Sequence, residues 1–346
     1  MDNFFQTRNN IGKDNRCRSR ALEYGGKFMY QIRTDLALET QEKMQEDHVD
    51  LKGVRFLEEK VDKNITVSTV VIETENGAKT MGKPKGTYIT IEAGNMDEED
   101  EDYHREISVQ LAKIIRQLIQ EKNEELSVLV VGLGNREVTP DALGPRVVDN
   151  LFITRHIVKE YGKYAFGEKN VNRISSIVPG VMAQTGMESL EIIHGIIDET
   201  KPDLVIVIDA LAARSTKRLN RTIQVTDTGI NPGSGVGNHR HGLNKKSLGI
   251  PVISIGIPTV VDAATIVNDT MENFIHALEE SETLKSVGET LRSYNQGEKY
   301  ELVKELIAPH LNGMFVTPKD VDEMIHQISH TIAEALNLLC SHIIER

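Results

Sequence analysis

The chain of 346 residues has two cysteines, Cys17 and Cys340, and neither stands in a C-x-x-C pair or beside histidines at ligand spacing. That argues against a disulfide framework and a structural zinc site, and it fits a reducing compartment. No window approaches eighteen apolar residues, so no membrane helix is expected, and Met1-Asp2-Asn3-Phe4-Phe5-Gln6 lacks the apolar core of a secretory signal. Basic charge is short too: 40 Lys and Arg stand against 52 Asp and Glu, a formal net charge of -12. Neither a nucleic-acid nor a membrane partner is expected from that balance, and the reading is a cytoplasmic protein. No Gly-x-Ser-x-Gly elbow occurs, because Gly233-Ser234-Gly235 lacks the upstream spacing. Gly132-Leu133-Gly134 lacks the third glycine of a dinucleotide fingerprint, and Glu137, Pro140 and Pro145 stand where phosphates and a running helix belong. No cofactor follows from these motifs.

What is present is a rhythm of short apolar runs and helical stretches. Ser127–Val131, Ile174–Val178, Leu204–Ile208, Thr222–Thr226 and Pro251–Ile255 read as strands. Helical patterns lie near 143–161, 187–199, 260–280 and 318–344. Continuous Val/Ile runs spaced by helices predict an α/β fold whose largely parallel, in part mixed, central sheet carries helices on both faces. The β-branched runs Ile65–Thr74 and Thr87–Glu92, with turn residues between them, predict an N-terminal β-hairpin region. Residues 1–35 are polar and without periodicity, an arm ahead of a single domain over 36–346, within which 281–300 reads as a surface insertion or loop. The acids at 97–102 precede an amphipathic helix from Ile107, where negative charge suits the helix dipole.

Two aspartates stand out. Asp209 directly follows Leu204–Ile208, and Asp141 lies in Thr139-Pro140-Asp141-Ala142-Leu143-Gly144-Pro145 beyond the strand at 127–131. The carboxyl ends of strands form the ligand crevice of an open α/β sheet, so two acids delivered there can meet. Facing carboxylates push one pKa up, leaving one to hold a proton while the other activates water. The competing reading for both is structural, capping of the helix or segment that follows. The loop Gly229–Gly242 reads as a flap, and its His239 and His241 as solvated surface groups rather than metal ligands.

These segments together resemble the spore germination protease family. The resemblance is carried by Val130–Asn135, Val138–Pro145, Val148–Leu151, Ile153–His156, Ile177–Met182, Ile208–Ser215, Pro232–Asn238 and Gly249–Asp262. It implies an atypical aspartic endopeptidase, similar in fold to the hydrogenase-maturation endopeptidases, that degrades small acid-soluble spore proteins in the spore core as a homotetramer without a metal. The family's essential aspartates fall on Asp141 and Asp209. The family is made as a zymogen that trims its own N-terminus, and Thr34-Asp35-Leu36-Ala37-Leu38-Glu39 has the form of its cleavage site, which implies a cut between Asp35 and Leu36 and an arm acting as propeptide. That arm is longer than the family's usual one. Gly132, Gly134, Asn135 and Arg214 are the candidates for binding substrate or polarising its carbonyl. Two other readings stay open: a metal-dependent maturation peptidase using the aspartates with a histidine such as His156, and a non-catalytic binder of basic or disordered proteins.

Overall fold

The computed structural model describes residues 34–46, 48–94, 96, 100–119, 125–167, 171–233, 241–281, 283–284, 286–287 and 313–340. Most of the arm, part of the acid run, His239, Cys17 and most of 281–300 lie outside them. In chain order the elements are α1 (Ala37–Glu46), β1 (Val54–Lys60), β2 (Ile65–Ile72), α2 (Glu75–Met81), β3 (Gly86–Ala93), α3 (Glu101–Leu118), β4 (Ser127–Gly132), α4 (Leu143–Asp149) and α5 (Arg155–Tyr161). There follow β5 (Arg173–Ile177), α6 (Met182–Thr185), α7 (Ser189–Thr200), β6 (Leu204–Ala213), β7 (Thr222–Thr226), α8 (Lys245–Leu248), β8 (Val252–Asp262), α9 (Ala263–Glu280), β9 (Phe315–Val316) and α10 (Val321–Cys340).

The strands form one sheet in the order β1-β2-β3-β7-β8-β6-β4-β5, with β9 paired to the far end of β8. Three ladders are parallel, β4·β5, β4·β6 and β6·β8, and five are antiparallel, β1·β2, β2·β3, β3·β7, β7·β8 and β8·β9. The expected predominance of parallel pairing is therefore corrected to a mixed sheet. The predicted hairpin exists as β2 and β3, but α2 sits in its connection and β1 extends it. It also docks on β7, so the whole hairpin region adds antiparallel ladders to the one sheet. Strand β1 escapes sequence reading because its charged run, Val-Arg-Phe-Leu-Glu-Glu-Lys, is exposed along nearly its whole length.

The central strands are buried on both faces, which is why β4 and β6 read as unbroken apolar runs rather than alternating ones. Alternation reappears as a choice between two cores. Leu204, Ile206 and Ile208 pack with α3, α4 and α10, whereas Val205 and Val207 pack with Ile193 and Ile197 of α7 and Leu248 of α8. Asp100 caps α3, its Oδ1 accepting from the amides of Asp102 at 3.1 Å and Tyr103 at 3.3 Å, so the end of the acid run begins the helix as expected. The helix expected over 143–161 is broken into α4 and α5.

Strand β6 is longer than its apolar run suggests. It continues past Ile208 through Ala213, paired with β8 all the way, whereas its ladder with β4 stops at Gly132 opposite Ile208. Residues 209–213 thus overhang the sheet, with one edge open where β4 has left. Asp209 lies inside the strand rather than beyond its end.

Candidate active site

Asp209 is 6% exposed, and its Oδ1 accepts from the amide of Ala210 at 3.0 Å. Its side chain follows the strand's alternation onto the face that also carries Leu211 and Ala213. In register with it stand Gly256 on β8 and, beyond that, Gln224 on β7.

Asp141 closes a 3-10 turn, Thr139–Asp141, and Ala142 rather than Asp141 occupies the N-cap of α4. The capping reading of Asp141 is thereby replaced: its Oδ2 accepts from the amide of Asn135 at 2.8 Å. The turn is tied to β8 by Thr259 Oγ1 donating to the Pro140 carbonyl at 2.7 Å, and the chain leaving β4 is tied to β6 by the Leu133 amide donating to the Ile208 carbonyl at 2.8 Å. Both acids therefore sit at one end of the parallel strands.

The glycines explain why this corner is tight. A Cβ on Gly134, where φ is +118°, would lie 1.8 Å from the Asp141 carbonyl oxygen, and one on Gly132 would lie 2.3 Å from the Gly144 carbonyl oxygen. Gly132 and Gly134 serve close backbone approach. The Asn135 amide is spent on Asp141, and the Arg214 amide on Glu39, at 2.7 Å. Gly132 and Gly134 shape this corner and Asn135 and Arg214 lend it backbone amides, while the Asp35 carbonyl of the predicted cleavage segment accepts from Lys83 and Gln224.

That segment is held across the overhang. The Asp35 amide donates to Ala212 O at 3.0 Å, and the Ala212 amide donates back to Asp35 Oδ2 at 2.9 Å, on the edge that β4 leaves open. Leu36, fully buried, packs with Leu211, Ala213, Leu219 and Val261. The Asp35 carbonyl, which belongs to the Asp35–Leu36 peptide bond, accepts from Lys83 Nζ at 2.9 Å and from Gln224 Nε2 at 3.1 Å. Glu39 is 3% exposed, with its carboxylate on the amides of Arg214 and Ser215 at 2.7 and 2.9 Å and on the Thr34 hydroxyl. Helix α1 begins at Ala37, so these residues are also the start of an ordinary helix.

Arg218 locks α1 down. Its guanidinium makes a forked pair with Glu42 at 2.7 Å and reaches Glu92 of β3 at 2.9 Å and Glu39 at 3.6 Å. The carboxylates around it hold its pKa above the ordinary value against the opposing effect of burial. Arg218→Ala is expected to destabilise the fold by about 1.5–3 kcal/mol, the range for hydrogen bonds to charged groups, read from urea unfolding.

Lys83 keeps part of its side chain exposed while its ammonium is enclosed, and burial lowers its pKa against the pull of Asp35 and Glu39. The folded chain then binds that proton less tightly than the unfolded chain. Below the depressed pKa the penalty is complete, and it is released as pH rises toward the unfolded lysine value. Lys83→Met is accordingly expected to melt at pH 7 no lower than the parent.

Sequence reasoning missed Lys83 and Gln224. Lys83 lies in Gly82-Lys83-Pro84-Lys85-Gly86, which reads as a turn, but Gln224 carried a signal: a long polar side chain in the middle of an apolar strand, here 7% exposed. His156 is exposed on α5, and among the described residues no three His, Cys, Asp or Glu side chains gather in a group that can hold a metal. His241 Nδ1 pairs with Glu188 Oε2 at 2.6 Å. No described helix is long and apolar enough to cross a membrane.

A family model described as germination protease matches residues 32–293. The chain belongs to the germination protease family. Among its relatives, the germination protease of Caldanaerobacter subterraneus subsp. tengcongensis is 48% identical over 308 residues, covering 89% of this chain and 93% of that one. Those of Clostridium perfringens and Bacillus cereus are 43% and 40% identical, each covering at least 90% of this chain and 95% of the relative. As a member of the germination protease family the chain is an endopeptidase, which sets aside the reading as a non-catalytic binder. Among solved structures, the [NiFe] hydrogenase maturation protease HycI of Thermococcus kodakarensis covers 64% of this chain and 98% of its own, at 16% identity and a TM-score of 0.31.

Proposed function

We propose that the chain is a self-activating endopeptidase that starts the degradation of small acid-soluble spore proteins at germination, with Asp141 and Asp209 as its water-activating pair. Residues 1–35 are the removable arm and 36–346 the protease domain. The enzyme works in the spore core as a homotetramer, without a cofactor. One carboxylate takes a proton from water and the other supplies one to the departing amine, the division of labour open to two acids in unlike surroundings.

One observation supports this reading above the others. The Asp35–Leu36 bond, inside a sequence of the family's cleavage form, is pinned on both sides to the overhang of β6, the strand that carries Asp209. Leu36 packs on Leu211, which lies two residues from Asp209 on the same face, about 7 Å along a strand. Incubating the purified full-length chain at mildly acidic pH and weighing the products tests it. A product beginning at Leu36 is expected. A chain that keeps its full mass, or is cut elsewhere, contradicts the assignment.

A further inference from the structure

We propose that Lys83 and Gln224 form the carbonyl-binding site of this protease, holding the oxygen of the bond to be cut and the negative charge that develops on it. The inference rests on the Asp35–Leu36 reading above. Two side chains from separate elements, one on the turn after α2 and one on β7, converge on the single carbonyl oxygen of Asp35 at 2.9 and 3.1 Å. Neither contact belongs to a sheet ladder or a helix. Gln224 has no freedom of orientation, because its Oε1 accepts from the Ala37 amide at 2.7 Å and so turns Nε2 onto the Asp35 oxygen. One glutamine therefore grips the peptide on both sides of the bond.

Lys83 is set with similar definiteness. Gly82, in the left-handed region at φ 62°, closes α2, and the Lys83 amide donates back to Ala78 O at 3.2 Å, which turns the side chain inward. Burial lowers the pKa of this ammonium, and the neighbouring Asp35 and Glu39 carboxylates act against that by favouring the charged form. A preorganised cation and an amide donor on one oxygen suit a carbonyl that becomes an oxyanion. Their hold strengthens as negative charge develops on that oxygen.

The step balances with water alone. The oxygen of water adds to the Asp35 carbonyl carbon while one proton of that water passes to a carboxylate of the aspartate pair. The carbonyl π electrons move onto the Asp35 oxygen, held by Lys83 and Gln224. Collapse breaks the carbon–nitrogen bond to Leu36, whose nitrogen takes a proton from the pair. The products are an Asp35 carboxylate on the arm and a free amine on Leu36.

The test follows, by mass, the appearance of the chain beginning at Leu36 from purified full-length protein. Lys83→Met and Gln224→Leu are each expected to slow it by about 100-fold or more, the usual cost of one oxyanion donor, with thermal unfolding close to that of the parent. Lys83→Arg, which keeps the charge, is expected to recover part of the rate and to carry the alkaline fall of the pH profile to higher pH, which a merely structural lysine would not do. Parent-like rates in the Met and Leu variants would overturn the inference and leave the cleavage site standing. Equal losses in the Arg and Met variants, with folding intact and the pH profile unmoved, would overturn the role of the charge. A parent chain that yields no product at Leu36 would remove the cleavage-site reading and this inference with it.

Discussion

Asp141→Asn and Asp209→Asn chains remain at full mass under conditions in which the parent trims itself, and each loses about 10²–10⁴-fold in rate, the contribution usual for a positioned acid or base. The reason is chemical rather than steric. Asparagine keeps the shape and an acceptor oxygen, so the Asn135 amide still finds a partner at position 141 and the Ala210 amide at position 209. It neither takes a proton from water nor returns one to an amine. Thermal unfolding close to the parent, beside a lost rate, separates chemistry from folding. Retained processing in both variants would leave the pair without its role.

Gly134→Ala is expected to fail for the opposite reason, through geometry with the chemistry intact. A methyl at this position meets the Asp141 carbonyl oxygen at 1.8 Å and carbon at 3.0 Å, on a backbone at φ +118° that other residues avoid. Backbone strain of about 1–3 kcal/mol adds to an overpacking cost of similar size. Relief requires moving the turn that carries Asp141, so stability and rate fall together. Gly186→Ala is the control, because φ there is +73° and no atom lies within 4 Å of the added methyl. Its cost is confined to about 1–2 kcal/mol of left-handed backbone, with the processing rate preserved. Chemical denaturation and the mass assay on the two variants check the contrast.

The sequence showed the interior strands well because both their faces are covered: β4, β5, β6 and β7 stand within a residue or two of the apolar runs except where β6 continues. That continuation was hidden by its composition. Asp209 and the alanines after it break the Val/Ile pattern, yet pairing with β8 carries the strand to Ala213, and those residues hold the segment at Asp35. Edge structure was harder for a related reason. Strand β1 buries almost nothing and leaves no periodic mark, and the antiparallel docking of β3 on β7 is a long-range choice that no local pattern records. The two aspartates were visible as acids after apolar runs. Gly132 and Gly134 were legible as special positions but not as packing devices, since their use depends on Gly144 and Asp141 approaching from further along the chain. Gln224 was legible as a polar residue in an apolar strand, but its convergence with Lys83 was not, because the oxygen they share lies 48 and 189 residues away in sequence.

The measurement that bears most directly on water activation by the aspartate pair is self-processing of the full-length parent in heavy-oxygen water, followed by peptide mass mapping. Direct attack by water predicts a single heavy oxygen in the α-carboxylate of Asp35 on the released arm, and unlabelled side chains at Asp141 and Asp209. Label in either of those side chains would mean that an aspartate attacks the bond itself, and would contradict the account.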